Sequence, residues 1–365
     1  MKTAASAEIK TPKQVKQAID QRVANFFELK ISEATVLDPL YGEMLGYIAS
    51  IASDGKRLRP YLAYVAYRAH GGRDEELILD VALSQELYHL FLLIHDDVMD
   101  RDDVRHGHPT INAIYRRQAE DKMISGEAAH YGDSLAIVAG DVVAGLASEP
   151  ILQAAMPDKI RLELLKVFNR LIFTEVAAGQ QLDLMWLRPD GPQPSIDQLN
   201  KINRYKTASY TFIAPLKLGA ILAGASQVEA SKWEEVAVPL GLAFQLHNDL
   251  SDLFSDETDW KQVMGDVVEG KPTIPIMLAL EKLDGKDREE LAGKLGIGRP
   301  LKKSEVENLQ ELIVGCGAKQ AAHEMINDYL RTALNNLKSL NLDAKAEAAL
   351  ADVAAHLVGA QMVHD

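Results

Sequence analysis

The stretch Glu86-Leu87-Tyr88-His89-Leu90-Phe91-Leu92-Leu93-Ile94-His95-Asp96-Asp97-Val98-Met99-Asp100 constrains this chain more than any other. It is an apolar segment of helical period that runs into five aspartates among eight positions: Asp96, Asp97, Asp100, Asp102 and Asp103. On a helical wheel His89, Asp96 and Asp100 share one stripe, while Leu83, Leu87, Leu90, Ile94 and Val98 mostly face away from it. Two like charges about 4 Å apart repel by ~4 kcal/mol at an effective dielectric near 20. So dense a cluster at the end of a core helix calls for a cation. A merely solvated helix end would interleave lysines with its acids, and here only Arg101 and Arg105 intervene. An EF-hand calcium loop fits poorly, because the acids do not alternate and no glycine stands at its sixth position. A carboxylate platform for Mg2+ fits better, since that ion takes one or two carboxylates and leaves its other positions to water and phosphate oxygens.

The rest of the chain favours helices. Hydrophobic residues make up 47% of the 365 positions but aromatics only 6%, which suits helix-on-helix packing more than sheets. There is no strand-period run of any length, no low-complexity tract and no linker marked by a shift of composition. The expected architecture is therefore all-α, one domain over residues 1–365, built as a helix bundle. A net charge of -14 argues against a nucleic-acid or anionic-membrane surface, and it makes any basic cluster more informative. The single Cys316 excludes an intrachain disulfide and fits a reducing compartment. The opening Met1-Lys2-Thr3-Ala4-Ala5-Ser6-Ala7-Glu8 has no apolar signal core. Val236 to Phe244, the longest apolar run, is too short to cross a bilayer. A cytoplasmic chain with no integral membrane segment is expected.

Thr11-Pro12 predicts a helix start, with the helix running to about Lys30, and Pro39 opens another that ends near Ser53. Next comes Asp54-Gly55-Lys56-Arg57-Leu58-Arg59-Pro60, three cations in four residues between a glycine and a proline. Gly55 permits a tight turn and Pro60 suits the first turn of the following helix, so Lys56 and Arg59 can converge on an anion there. Arg101 to Tyr131 reads as polar and irregular. A buried helix is expected over Ser134 to Ala147, where Asp141 is assigned a structural role. A long helix follows from Lys159 to Leu187, with Gln180 and Asp183 as an i,i+3 pair. After an evident loop at Arg188 to Pro194, helical pattern resumes with Lys206-Thr207 mid-segment, and Pro215 either kinks it or ends one helix and opens the next. A second acidic cluster stands at Gln245-Leu246-His247-Asn248-Asp249-Leu250-Ser251-Asp252, where Gln245, Asp249 and Asp252 share one stripe. Asp266, Lys261 and Lys271 lie in the polar stretch beyond it.

Two carboxylate-ended helices, a Lys/Arg turn, further lysines and large apolar helix faces suggest a substrate with a phosphate end and a greasy tail. Metal ions between the acidic clusters would hold a diphosphate and stabilise it as a leaving group. Nothing resembles a Walker A loop, a Gly-x-Gly-x-x-Gly turn, a nucleophile elbow or a Cys/His zinc site.

In these motifs, in this order from Gly55 to Thr273, the sequence resembles the trans-isoprenyl diphosphate synthases, the polyprenyl synthetase family of short-chain geranylgeranyl and farnesyl diphosphate synthases. The resemblance implies a bundle of long antiparallel helices around a deep apolar cavity, homodimeric in most relatives. It implies head-to-tail condensation of isopentenyl diphosphate with an allylic diphosphate, with three Mg2+ per site and Mn2+ as a possible substitute. Lys56, Arg59 and His89 match its isopentenyl diphosphate contacts, and Arg105 matches the first of two arginines that follow the first aspartate motif. Asp96, Asp97 and Asp100 match that motif. Gln180, Asp183, Lys206 and Thr207 match residues that hold the allylic diphosphate, with Lys206, Thr207 and Gln245 toward the cation. Asn248, Asp249, Asp252 and Asp266 match the second metal cluster, and Lys261 and Lys271 match lysines that reach the diphosphate.

Three departures stand out. His106 occupies the place of the second arginine, Asn248 that of the first acid of the second cluster, and the tail Gln361-Met362-Val363-His364-Asp365 lacks basic residues. There is also extra length between Thr110 and Tyr131. Product length is read from Phe91, five residues before Asp96, where a bulky side chain floors the pocket in relatives; Leu92 beside it is smaller, and Tyr88 lies one turn deeper. A twenty-carbon product is favoured over fifteen carbons. Two other readings compete. A class I terpene cyclase needs no isopentenyl site, and it would place Ser or Thr where Asp252 stands. A non-catalytic subunit of a heteromeric synthase is motivated by Asn248 and His106.

Overall fold

A computed structural model of the protein describes residues 9–105, 107–121, 127–187, 193–254 and 263–359. His106, Lys261 and the tail therefore lie outside the described residues. Among the described residues the elements are helices and one short hairpin, as an all-α fold requires, and they form two compact units. The first comprises residues up to Lys166 with Leu218–Ala225; the second comprises Val167–Lys217 and the chain from Ser226 onward.

In the first unit Thr11 caps helix α1 (Pro12–Leu37) through a capping box with Gln14. The helix runs past its expected end near Lys30 because nothing in between breaks it. The stop is Asp38, forced to extended backbone (φ -162°) by the proline after it. Asp38 then caps α2 (Pro39–Ala52), accepting from the Leu40 amide at 2.8 Å. Val15, Ile19, Val23 and Phe27 recur at every fourth position of α1 and are buried where it packs on α2, α3 (Leu58–Ala69) and α4 (Glu75–Asp100). Burying a side chain of that size stabilises the fold by roughly 2 kcal/mol. Asp74 caps α4, which is buried at almost every position from Ile78 to Phe91; a helix apolar all round belongs in a core.

The described residues of the stretch expected to be irregular, Arg101 to Tyr131, form a hairpin and a helix. Arg101 ends α4 in the left-handed region (φ 59°). A hairpin follows, β1 (Val104–Arg105) paired with β2 (His108–Pro109), with Gly107 at φ 79° in its turn. Then comes helix α5 (Ile111–Glu120), which buries Ile111, Ala113, Tyr115 and Ala119 on α6 (Ala128–Leu146). Its charged outer face masks that narrow apolar stripe in the sequence. The short α7 (Glu149–Gln153) and then α8 (Asp158–Phe168) close the unit.

At the start of the second unit α8 passes through a π-helical segment, Asn169–Val176, into α9 (Ala177–Trp186). Ser195 caps α10 (Ile196–Asn203), which passes through a second π-helical segment, Arg204–Ile213, into α11 (Ala214–Leu222). The predicted disturbance near Pro215 is this change of helix type, completed at Ala214. The spine of the unit is α12 (Gln227–Phe254), followed by α13 (Gly265–Glu269), α14 (Ile274–Lys282), α15 (Gly285–Ala292), α16 (Lys303–Gly315), α17 (Ala318–Ser339) and α18 (Ala344–Leu357). Helix α12 packs on α17, α14 and the second π-helical segment, burying Trp233, Leu240, Leu246 and Leu253.

Two stretches, Glu75–Asp100 and Ala128–Gln153, are long and apolar enough to cross a bilayer. The first spends that composition on the core, with 72% of its apolar window buried. In the second only 39% is buried, and Tyr131, Ile137 and Val138 stand exposed on α6.

Candidate active site

The end of α4 shows how the first unit handles its aspartates. The left-handed Arg101 lets the Asp102 amide return to the Asp97 carbonyl at 2.9 Å, which turns the chain back on the helix. Thr110 Oγ1 and Asn112 Nδ2 then donate to the Asp102 carbonyl at 2.7 and 3.1 Å, tying the far side of the hairpin to the same point. Arg105 is thereby folded under the helix end. Its Nε donates to Asp97 Oδ1 and its Nη2 to Asp102 Oδ2 at 2.9 Å. Asp97 is 1% exposed, and burial pushes its carboxyl up to about 6 although Arg105 pulls the other way. So Asp97 faces inward to a guanidinium, while Asp96 and Asp100 are half-buried on the more open side of the helix.

One turn earlier on α4 stand the residues assigned to chain length. Tyr88 and Phe91 are buried and meet edge to face at 6.3 Å, and Phe91 meets His95 at 5.9 Å; Leu92 is half-buried. His95 packs where a side chain on Gly140 would collide with its ring at 2.2 Å, and its Nε2 lies 3.2 Å from the Ile137 carbonyl. Asp141, 72% exposed at its side chain, lies 3.6 Å from that same ring, on a face of α6 that is not buried as expected. In the basic turn, Lys56 is exposed, Arg59 is half-buried and Arg57 is buried, and His89 on α4 is half-buried.

In the second unit two chains of hydrogen bonds collect most of the assigned residues. Lys206 Nζ donates to Asp183 Oδ2 at 2.6 Å. Thr207 Oγ1 donates to Gln245 Oε1 at 2.8 Å, and Gln245 Nε2 donates to Asp249 Oδ1 at 2.8 Å. Gln180 is half-buried on α9, one turn before Asp183. A helix this close to its neighbour needs Gly179, where a Cβ would stand 2.4 Å from the Lys206 amide nitrogen. Asp252 Oδ1 and Oδ2 accept from the amides of Gly265 (3.0 Å) and Asp266 (3.2 Å), which fixes the start of α13. Burial, with Asp252 adding repulsion, pushes Asp249 up to about 7. Burial pushes Asp252 up to about 6, and burial and its two acidic neighbours raise Asp266 well above the carboxylate range. Asn248, by contrast, is exposed, and Lys271 Nζ pairs with Glu269 Oε2 at 2.6 Å.

Among the described residues no three His, Cys, Asp or Glu side chains make a ready-formed metal cage. The donor set fits a divalent cation nonetheless. Three carboxyls held close enough to raise one another's proton affinity lose that repulsion when an ion of opposite charge joins them, and all-oxygen donors suit Mg2+.

The sequence reading passed over Glu175, buried in the first π-helical segment. It accepts from Arg204 Nη1 at 2.9 Å, Arg170 Nε at 3.2 Å and Ser209 Oγ at 2.6 Å. Ser209 Oγ also lies 3.1 Å from the Arg204 carbonyl, five residues back. These bonds bracket Lys206 and Thr207 within their π-helical turn, a geometry that recurs at functional sites. The available signal was an acid standing within the run Leu171-Ile172-Phe173-Thr174-Glu175-Val176.

Long helices with these carboxylate and lysine clusters define an all-α isoprenoid synthase fold. A family model described as polyprenyl synthetase matches residues 38–313, and the chain belongs to that family. It is 33% identical over 308 residues to a short chain isoprenyl diphosphate synthase of Methanothermobacter thermautotrophicus, covering 83% of this chain and 86% of that one. It is 29% identical to a geranylgeranyl diphosphate synthase of Sulfolobus acidocaldarius, covering 79% and 82%. Its fold is that of a geranylgeranyl pyrophosphate synthase of Corynebacterium glutamicum solved with isoprenyl diphosphate and magnesium. The TM-score is 0.87 at 24% identity, covering 96% of this chain and all of that one. The protein is a prenyltransferase of isoprenoid biosynthesis.

Proposed function

We propose that this prenyltransferase condenses isopentenyl diphosphate head-to-tail with an allylic diphosphate, with Mg2+ as its metal and geranylgeranyl diphosphate as its main product, farnesyl diphosphate being second. The observation that supports the metal requirement is the second acidic cluster, where burial, with repulsion from neighbouring acids, raises the proton affinity of Asp249, Asp252 and Asp266. Asp96, Asp100, Asp249, Asp252 and Asp266 are assigned to the ions from their match to the family's two acidic motifs, with Asn248 able to add a carbonyl oxygen. Bound there, Mg2+ or Mn2+ would supply Lewis acidity to a diphosphate leaving group. We assign three ions to the site.

The side chains divide the remaining work. Lys206, Asp183, Gln180 and Lys271 orient the allylic diphosphate, with Lys261 assigned beside them from its sequence position. Lys206 is already aimed by Asp183, so little ordering cost falls on binding. The Thr207 and Gln245 oxygens offer negative dipole ends to an allylic cation without a nucleophile strong enough to trap it. Lys56, Arg59 and His89 present isopentenyl diphosphate, whose double bond attacks the cation. The proton lost from the resulting tertiary cation goes to the departed diphosphate. Arg105, occupied with Asp97 and Asp102, serves this end of the site by holding the helix terminus. The matched region runs through both units, which supports treating the chain as one catalytic domain. A homodimer is proposed on the exposed Tyr131, Ile137 and Val138 of α6, and a cytoplasmic location on the lone cysteine.

The test is chromatography of products from pure protein given isopentenyl diphosphate and five-, ten- or fifteen-carbon allylic starters, with and without Mg2+. A twenty-carbon diphosphate formed only with metal supports the reading. Hydrocarbon or alcohol released from an allylic diphosphate alone would identify a cyclase, and no turnover without a second chain would identify a subunit of a heteromer. Phe91→Ala should lengthen the product; an unchanged product would remove Phe91 from its role as the floor.

A further inference from the structure

The three cations of the turn after α2 do three different things, and the middle one is the informative one. Arg57 is 5% exposed and sits at φ 53°, a left-handed conformation that is uncommon for a branched-chain-free but long side chain and is held here by its contacts. Its Nε donates to Asp20 Oδ1 on α1 at 2.8 Å, its Nη2 to the Ala52 carbonyl at the end of α2 at 2.7 Å, and its Nη1 to Glu86 Oε2 on α4 at 2.7 Å. One guanidinium thus ties the turn to three helices. Gly55, at φ 139°, wraps closely round it: a Cβ there would lie 3.2 Å from Arg57 Nη1 and 3.9 Å from Glu86 Oε2. Glu86 is 7% exposed, its second oxygen has no hydrogen-bond partner among the described residues, and it stands three residues before His89 on the same face of α4.

We propose that Arg57 is a positioning residue for isopentenyl diphosphate: the buried Arg57–Glu86 pair fixes the register between the turn that carries Lys56 and Arg59 and the helix that carries His89. This rests on the reading above, that these three side chains receive that diphosphate. Arg57 does not itself reach the ligand. It acts because both flanking cations are attached to a backbone whose strained residue it holds, and because the same guanidinium grips α4 one turn from His89. An error of about 1 Å in such a placement is enough to change the productive fraction by up to ~100-fold.

The experiment compares wild type with Arg57→Met, Arg57→Lys and Glu86→Gln, measuring the Michaelis constant of each substrate separately, kcat, and thermal unfolding. Arg57→Met should raise the constant for isopentenyl diphosphate by at least ~10-fold while the allylic constant stays within about twofold. Arg57→Lys keeps the charge but cannot fork to Asp20 and Glu86 together, so it should fall between. Glu86→Gln keeps the shape and should give a smaller rise with the same selectivity. A general loss of packing would instead move both constants, or kcat alone. Should Arg57→Met not fold, the lysine and glutamine variants carry the test. Equal rises for both substrates, or no rise in folded variants, would overturn the proposal and leave the assignment of Lys56, Arg59 and His89 standing. If calorimetry finds no binding of isopentenyl diphosphate to wild type, that assignment falls first and this proposal with it.

Discussion

The ends of α4 and α12 look alike as sequence: each is an apolar helix finishing in carboxylates on one stripe. As structure they solve the crowding in different ways. At the end of α4 the chain doubles back and lays an arginine against the middle acid, so Asp97 has a direct ionic partner that offsets part of its burial. At the end of α12 Asp249 leans on a neutral amide, Gln245, while Asp252 is served by two backbone amides. Backbone and amide dipoles offset a buried negative charge far less than a guanidinium does. The first cluster is therefore a finished piece of structure with two acids left on its open side. The second keeps buried acids whose charged forms burial disfavours, and a bound cation would relieve that cost.

That contrast is broken or upheld most sharply by removing one acid from each end. Asp249→Asn takes away a costly buried charge but keeps the hydrogen bond to Gln245. It should lower kcat/KM by at least ~100-fold while leaving the unfolding temperature of the metal-free protein unchanged or higher. Asp97→Ala should do the reverse in stability, costing about 2 kcal/mol because Arg105 is left half-buried beside an empty place. Urea unfolding and steady-state rates on the two variants decide it. If both destabilise equally, the two ends are compensated in the same way and the distinction is wrong.

How much of this was legible follows the same line between local and long-range causes. Thr11-Pro12, Asp38-Pro39 and the Asp96 cluster announce themselves, because caps, prolines and charge density act over three or four residues. The all-α fold and the family were likewise readable from period and motif order. Helix α5 was missed because Arg116, Arg117, Gln118 and Glu120 dilute a stripe of only a few buried residues. The π-helical segments were missed because their extra residue per turn is fixed by Glu175, Arg204 and Ser209, which lie up to thirty-four positions apart. Arg57 was left without a role for a related reason: of the three cations in four residues, Lys56 and Arg59 were given to an anion, and only the fold shows that Asp20 and Glu86, from two other helices, claim the middle one.

A second, smaller effect follows from pH, since burial pushes acids up at both ends, Asp97 to about 6 among them. Burial pushes Asp249 up to about 7 and Asp252 up to about 6, whereas unfolded aspartates titrate near 4. Between those values the folded chain holds more protons than the unfolded chain. The contribution of these groups to stability is thus full below about pH 4 and is lost as pH rises through about 7. A divalent cation replaces the missing protons, so Mg2+ should raise the unfolding temperature by several degrees at about pH 8 and by much less at about pH 5.5. Asp249→Asn should shrink that difference, and Asp97→Ala should not. A metal-induced shift of equal size at both pH values would mean that the ion does not meet the second cluster.

The smallest predicted effect probes the neutral relay itself. Thr207 donates to Gln245, and Gln245 in turn donates to Asp249, so the hydroxyl orients the amide that touches the acid. Thr207→Val keeps the shape, removes the donor and leaves the Gln245 carbonyl oxygen unpaired in a partly buried place, at a cost of about 1 kcal/mol. With Gln245 free to turn over, its NH2 group is no longer committed to Asp249. The rate should then fall by roughly fivefold to tenfold, matching one hydrogen bond's worth of orientation, and Thr207→Ser should restore most of it. Because the relay carries no net charge, the loss should be insensitive to added salt, whereas changes at the Arg105–Asp97 end should depend on it. A Thr207→Val variant with full activity would mean that Asp249 is placed by the packing of α12 alone, and the two helix ends would then differ only in whether an arginine is present.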